Sequence, residues 1–249
     1  MELTNCISKG TLKSVYLQEG VAVKVFEKEY AKSEVLYEAL NTARVEDTGL
    51  DIPKILEVTM IDGKWAIKRE YIEGKTLQEI MDEDPKNVDT YIESLVDLQL
   101  KIHQKRNPQL NKLKDKMSKA ISDLECIDDA TKYDLHTKLE GMPKHTKLCH
   151  GDFCPENIIV DKDGKMHVVD WVHASQGNAS ADVARTYLLL ALKNKKIAEK
   201  YMDMFCQKSG TLKQYVQNWL PIVAAAQLAK KRPEERDLLF SWLDVFEYQ

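Results

Sequence analysis

The stretch His150-Gly151-Asp152-Phe153-Cys154-Pro155-Glu156-Asn157 concentrates groups that can do chemistry, and Asp170-Trp171 follows it after a short hairpin pattern. Two carboxylates and an amide are the groups that phosphoryl transfer asks for. That reaction needs an attacking oxygen held in line and negative charge neutralised on the phosphates. One carboxylate can orient an acceptor hydroxyl and take its proton. An amide oxygen and a second carboxylate can share magnesium, a hard ion that prefers oxygen ligands and phosphate. Asp152 with Asn157 on one loop, and Asp170 at the end of the adjoining hairpin, meet that requirement. A rival reading takes Cys149, His150, Asp152 and Cys154 as a zinc site. Adjacent Cys149 and His150 do not easily converge on one ion, and no matching pair occurs elsewhere, so this reading is set aside.

Positioning such groups needs strands and a helix, and the chain has both. Residues 14–18 and 21–26 are β-prone runs around Glu19-Gly20, and 54–61 and 65–71 are a second pair around Asp62-Gly63. Asp-Gly between apolar runs favours a hairpin because the tight turn needs positive φ. Between the pairs, residues 30–45 have helical spacing, with Val35, Ala39 and Thr42 on one face. The segment near Cys6 can add a further strand. After Gly74 the texture turns helical, with residues 88–104 amphipathic through Tyr91, Leu95, Leu98 and Ile102. One strand-rich island, 157–160 and 165–169 flanking Asp163-Gly164, sits inside the helical part. The expected class is α+β: a small antiparallel-sheet lobe over residues 1–74, hinge included, and a mostly helical catalytic and acceptor-binding lobe over 75–249.

His150 to Asn157 resembles the catalytic loop of the aminoglycoside phosphotransferase and choline kinase superfamily, in which His-Gly-Asp takes the place of the protein kinase His-Arg-Asp. Asp170-Trp171 is similar to that superfamily's metal-binding aspartate. The resemblance implies a two-lobed protein-kinase-like fold, ATP as donor (GTP being the alternative nucleotide) and Mg2+ as cofactor. It makes Asp152 the catalytic base and Asn157 and Asp170 the magnesium ligands. Val21-Ala22-Val23-Lys24-Val25 resembles the kinase strand whose lysine holds the α- and β-phosphates. Its partner is a helical glutamate, Glu38 or Glu34, with Glu38 the better match. Ser8, Gly10 and Ser14 lie in the polar turn that stands where a phosphate-covering loop would be, although it has a single glycine. Glu70 and Ile72 belong to the segment that resembles the lobe connection, where backbone groups bind a nucleobase. Asp182 resembles the aspartate that braces the catalytic loop; as a helix first-turn acid it would also be structural.

The composition fits this reading. The 249 residues are 43% hydrophobic and 31% charged, with a formal net charge of −4. A nucleic-acid binder usually shows a basic balance, so no nucleic-acid partner is expected. The short basic runs 193–196 and 230–232 read as solvated helix faces. The apolar stretches are too short to span a bilayer, and no basic-then-apolar leader opens the chain. Five scattered cysteines suit a reducing cytoplasm better than a disulfide framework. The partner is a small-molecule acceptor of undefined identity, an amino alcohol, aminoglycoside or sugar-like hydroxyl compound; the oligomeric state has no sequence signature. Trp171, Tyr187, Trp219, Trp242, Phe246 and Tyr248, with Glu234, Glu235, Asp237, Asp244 and Glu247, could receive a cationic amine. A helix core with a solvated acidic face is the plainer reading and is preferred. Two other functions compete. A protein kinase is disfavoured because no Ala-Pro-Glu follows Asp170. A nucleotide-binding pseudokinase scaffold is disfavoured because lysine, base and metal ligands are all retained.

Overall fold

The computed structural model describes residues 3–243; Asp244, Phe246, Glu247 and Tyr248 lie outside them. The chain divides into two compact units, one of residues 1–80 with 155–174, the other of 81–154 with 175–249. The division falls after Ile80 rather than after Gly74, and the island at 155–174 joins the N-terminal unit. The cause is strand pairing that the sequence pattern does not announce: Gly74–Thr76 forms a short strand against Ile158–Asp161.

In the first unit β1 (Cys6–Lys9), β2 (Lys13–Gln18) and β3 (Val21–Phe26) are followed by α1 (Lys32–Glu46), β4 (Ile55–Ile61) and β5 (Lys64–Glu70). The strands make an antiparallel sheet in the order β1-β2-β3-β5-β4. Both hairpin turns form as the dipeptides require: Glu19 and Gly20, and Asp62 and Gly63, all have positive φ. β3 is central, and alternation sends its side chains to two apolar clusters. Val23 and Val25 pack with Ile61 and Ala66. Phe26, on the other face, packs with Ile67 and with Val35 and Ala39 of α1. Lys24 lies two residues from Phe26 and therefore shares the face that α1 covers.

β6 (Gly74–Thr76) then leads into α2 (Leu77–Glu83). Thr76 and Glu79 close a reciprocal cap there: the Glu79 N–H donates to Thr76 Oγ1 at 3.1 Å and the Thr76 N–H to Glu79 Oε2 at 2.7 Å. The second unit opens with α3 (Val88–Ile102), α4 (Leu113–Ser122), α5 (Asp129–Gly141) and the short β7 (Lys147–Cys149). β8 (Ile158–Asp161) and β9 (Met166–Val168) return to the first unit. Their connection is not a two-residue turn at Asp163-Gly164. It is a three-residue loop, with the Asp161 N–H donating to the Lys165 carbonyl at 3.0 Å and Gly164 left-handed. The Asp161 carboxylate accepts from the Asp163 and Lys165 N–H groups at 2.9 Å each, which selects the longer loop.

β10 (Ser175–Gly177) pairs with β7, and the rest is helical: α6 (Ala179–Ala191), α7 (Lys195–Ser209), α8 (Lys213–Gln217), α9 (Leu220–Leu228) and α10 (Arg236–Ser241). α6 is the buried centre of this unit and packs on α7, α8 and α9. α3 packs on α7, and α4 on α5 and α9. Pro221 sits in the first turn of α9, where its missing N–H does no harm. Among the described residues no helix is long and apolar enough to cross a membrane.

The β6–β8 pairing sets one sharp steric demand. A Cβ on Gly74 would lie 2.1 Å from the Val160 carbonyl oxygen, a backbone atom that cannot swing aside. Gly74→Ala should destabilise the protein by about 1–3 kcal/mol in urea unfolding. Gly141→Ala, with nothing within 4 Å of the new methyl, should be neutral or slightly stabilising.

Candidate active site

In the first unit the strand, helix and hairpin signals converge on one ammonium. Lys24 is 9% exposed and its Nζ donates to Glu38 Oε1 and, at 2.9 Å, to Asp170 Oδ1. Helical geometry selects Glu38, which lies three residues after Val35 and beside Ala39 on the buried face; Glu34 is exposed. Asp170 takes a left-handed backbone conformation, φ 64° and ψ 58°, uncommon for a residue with a side chain. Two contacts hold it there. Trp171, buried, donates Nε1–H to the Val168 carbonyl at 3.0 Å, and Asn41 of α1 donates Nδ2–H to the Val172 carbonyl at 2.9 Å. The Val169 N–H donates to the Asn157 carbonyl at 2.9 Å, so the hairpin brings Asn157 back beside the aspartate strand.

A cavity of about 540 Å³ opens over this cluster, lined by Ser8, Gly10, Lys13, Lys24, Asn157 and Asp170 among others. Of the sequence-derived candidates, Lys24, Ser8, Gly10, Ile72, Asn157 and Asp170 line it directly. Ser14 does not. Lys13 and Val15 line it instead, because strand alternation turns Ser14 to the opposite face, where it is buried. Glu70 does not line it either: its carboxylate accepts from the Lys54 N–H at 3.0 Å and its own N–H donates to the Lys54 carbonyl at 2.9 Å. Tyr71 and Ile72 take the place assigned to that segment.

Lys13 and Arg69 are cations of this cavity that the pattern reading misses. Lys13 Nζ stands 3.6 Å from Glu38 Oε2. Burial pulls its pKa down, but Asp170 and Glu38 more than offset this and hold it above its ordinary value. Arg69 is buried enough to lower its pKa, with Asp170 and Glu38 opposing the shift. The available signal was alternation: Lys13 lies on β2 directly opposite Phe26 of β3, and Val15 opposite Lys24.

In the second unit the loop His150-Gly151-Asp152 is hung on one buried carboxylate. Asp182, 2% exposed, accepts from the Gly151 N–H at 2.7 Å and the His150 N–H at 3.2 Å, and it meets His103 Nε2 at 3.0 Å and Gln99 Nε2 at 3.3 Å. Gly151 has φ +81°, a conformation that suits glycine. The Asp152 N–H donates to His150 Nδ1 at 3.2 Å, which closes the turn. Asp152 itself faces two cations. Arg185 Nη2 lies 3.2 Å and Lys230 Nζ 3.7 Å from its Oδ1. Arg185 follows Asp182 by three residues, so both reach the same loop from one face of α6. Its Nε–H donates to the Gly151 carbonyl at 3.3 Å and its Nη1–H to Gln227. The basic run 230–232 is exposed, as a solvated run would be, but it is not on a helix. It forms the turn after α9, with Lys231 at φ 52°, and Lys230 reaches Asp152. The aromatic residues are mainly core: Trp219 is fully buried and Tyr187 stacks on Trp242 at 5.7 Å. Cys149, also fully buried, has its thiol pushed up by burial, as a core residue does.

Burial alone would raise the Asp182 pKa, but hydrogen bonding and charge from His103, with the Gly151 N–H and His150, hold it below the ordinary 3.8. An acid depressed in the folded state contributes stability at pH above 3.8, and that contribution is lost as pH falls through the folded value. Asp182→Ala leaves two backbone donors without their acceptor, each such loss being about 1–3 kcal/mol. Chemical denaturation should show the variant less stable at pH 7 by roughly that amount or more, with a smaller difference at pH 3.

With this geometry in view, comparison with known proteins is informative. The model of the phosphotransferase enzyme family, APH, matches residues 7–215. No curated protein matches the chain in sequence. Among solved structures, aminoglycoside phosphotransferase APH(4)-Ia is similar with a TM-score of 0.71 at 16% identity, over 96% of this chain and 89% of that one. A choline/ethanolamine kinase family protein from Mesorhizobium loti reaches 0.58 at 16% identity, over 95% and 83%. LicA in complex with AMP reaches 0.63 at 15% identity, over 100% and 93%. At such identities the structural likeness carries the fold, an antiparallel-sheet N-terminal part and a helical C-terminal part in the kinase-like arrangement. The family match rests on the sequence itself and spans strand, glutamate helix, His-Gly-Asp loop and Asp170, so the chain belongs to the phosphotransferase enzyme family.

Proposed function

We propose that the chain is an ATP- and magnesium-dependent small-molecule kinase that transfers the γ-phosphoryl group to an acceptor hydroxyl. The observation that carries this reading is the Lys24 ammonium held between Glu38 and Asp170 at the wall of a cavity that Asn157 also lines. A lysine oriented by two carboxylates is built to meet phosphate, and Lys13 adds a second positive charge beside it. Solved complexes of APH(4)-Ia with ADP or AMP-PNP and hygromycin B support a nucleotide in this fold. The backbone of Tyr71 and Ile72 is the proposed support for the base, adenine being preferred and guanine the alternative.

The residues present suit magnesium. Among the described residues no cluster of three or more His, Cys, Asp or Glu could hold a metal by itself. Magnesium is commonly bound by one or two protein oxygens with phosphate and water completing its shell. Asp170 and Asn157 would hold it, and when bound it neutralises charge on the β- and γ-phosphates. Asp152 orients the acceptor hydroxyl and receives its proton at Oδ. Arg185 and Lys230, on its Oδ1 side, fix that carboxylate in direction.

Mg-ATP should raise the thermal midpoint of the protein, because a ligand bound by the folded state alone stabilises it. Lys24→Met and Asp170→Ala should each lower the midpoint without ligand, since each breaks an ion pair of the buried Lys24 ammonium. Each should also lose most of the Mg-ATP rise measured against that lowered midpoint. No rise at millimolar Mg-ATP in folded wild-type protein would overturn the kinase reading.

Asp152→Asn keeps the size and loses the proton acceptor. Its turnover should fall by about 10²–10⁴-fold, with Mg-ATP binding little changed. Near-normal turnover, with chemistry shown to limit the rate, would remove the assignment of Asp152 as base.

A further inference from the structure

Beside the Asp152 loop, the second unit holds a cavity of about 870 Å³ with walls from α4, the end of α9 and the turn that follows it. Its apolar surface comes from Ala120, Leu124, Leu228 and Pro233. Its charged surface is lopsided, with Lys116, Lys119, Lys231, Arg232 and Arg236 against Asp123 and Glu125. The acids are engaged at the rim, Asp123 with Lys119 at 3.1 Å and Glu125 with Lys231 at 3.7 Å. These are exposed pairs that neutralise little.

The cavity is joined to Asp152 through protein groups. Lys230 contacts that carboxylate, and the next residues in the chain, Lys231 and Arg232, line the cavity. Asp152, Arg185, Gln227, Glu235 and Arg232 form a continuous run of polar contacts, closing with Arg232 Nη1 on Glu235 Oε1 at 2.9 Å. We infer that the acceptor hydroxyl belongs to an organic anion, carrying a carboxylate or phosphate, and not to a cationic amine. This rests on the kinase reading of Asp152 and names the class of compound that reading leaves open.

Electrostatics decides between the two. A protonated amine at Asp152 would meet Arg185 and Lys230, and in the cavity it would meet the lysines and arginines of the wall. An anion would meet complementary charge throughout, with like-charge contact confined to the paired rim acids. Arg236 lies over the Phe240 ring at 4.9 Å to the centroid, which holds its planar fork in place for an oxyanion. Burial lowers the Lys116 pKa to about 8, against raising effects of Cys149 and Asp182. It is still protonated for the most part at neutral pH, and a charge short of water gains from a nearby anion.

A set of probes on one carbon skeleton separates charge from shape: glucose, gluconate, glucose 6-phosphate and glucosamine. Calorimetric binding to the full chain with Mg-AMP-PNP present, and phosphoryl transfer from Mg-ATP, are read for each. At low salt, gluconate, glucose 6-phosphate or both should bind at least about tenfold more tightly than glucose and glucosamine, and the advantage should shrink as salt rises. Which of the two leads distinguishes carboxylate from phosphate. In the Lys116→Gln, Arg236→Gln double variant the advantage should fall about tenfold, with Mg-ATP stabilisation serving as the control for folding. Tighter binding of glucosamine, equal affinity across the set including equal absence of binding, or an anion preference untouched by the double variant would overturn the inference. Loss of Mg-ATP binding by the wild type, with anion binding retained, would instead overturn the kinase reading and leave an anion site.

Discussion

The buried Lys24 ammonium is the constraint on which the first unit depends. Taking a cation out of water costs several kcal/mol unless opposite charge and hydrogen bonds replace the solvent. Glu38 and Asp170 supply them, one from α1 and one from the end of the β8–β9 hairpin. Three pieces of chain far apart in sequence are therefore tied to one atom. Helix α1 cannot rotate without withdrawing Glu38, and the hairpin cannot shift without withdrawing Asp170. Asn41 fastens the two acids' supports to each other through the Val172 carbonyl. The left-handed backbone at Asp170 belongs to the same arrangement: strain of this kind persists where the surroundings over-determine it, and such sites are commonly functional.

The second unit repeats the logic with the opposite sign. Asp182 is a carboxylate in an apolar helix bundle, and its oxygens are answered by loop N–H groups and by His103 and Gln99 of α3. The loop that carries Asp152 is therefore part of the core's own hydrogen-bond accounting. Arg185, one turn further along α6, carries the same support outward to Asp152, Gln227 and Glu235. The Asp152 loop and the helix packing share one network here, which holds the Asp152 carboxylate in place.

The cavity beside that network is built differently. Its charges sit on α4, on the turn between α9 and α10 and at the start of α10, and the exposed ones among them can change with little effect on the packed core. Pieces that answer buried charges are restricted in type. Pieces that face only solvent or ligand are not. That contrast is consistent with a chain at 16–17% identity to aminoglycoside phosphotransferase and choline/ethanolamine kinase family structures keeping the fold.

Local chemistry made much of this protein legible in its sequence. The Asp62-Gly63 and Glu19-Gly20 turns, the alternation of β3 and the spacing of Val35, Ala39 and Thr42 each express a backbone preference or a period that neighbours in sequence settle between themselves. The His-Gly-Asp loop and the aspartate after the hairpin were legible through their residue types and their resemblance to a known family. What depended on residues meeting across the fold was not legible. The strand at Gly74–Thr76 exists because Ile158–Asp161 offers it an edge. The loop at 162–164 took its length from the Asp161 carboxylate. Lys13 replaced Ser14 at the cavity over Lys24 through the register of β2 on β3. Lys230 to Arg232, which a reading by charge alone places on a solvated helix face, are exposed but lie in the turn after α9, with Lys230 near Asp152 and Lys231 and Arg232 lining the second cavity. The sequence by itself determined most of the elements and all of the chemical groups, because those follow from short-range stereochemistry. Only the tertiary structure decided which charges share a cavity, because that is set by long-range packing and by the need to give every buried charge a partner.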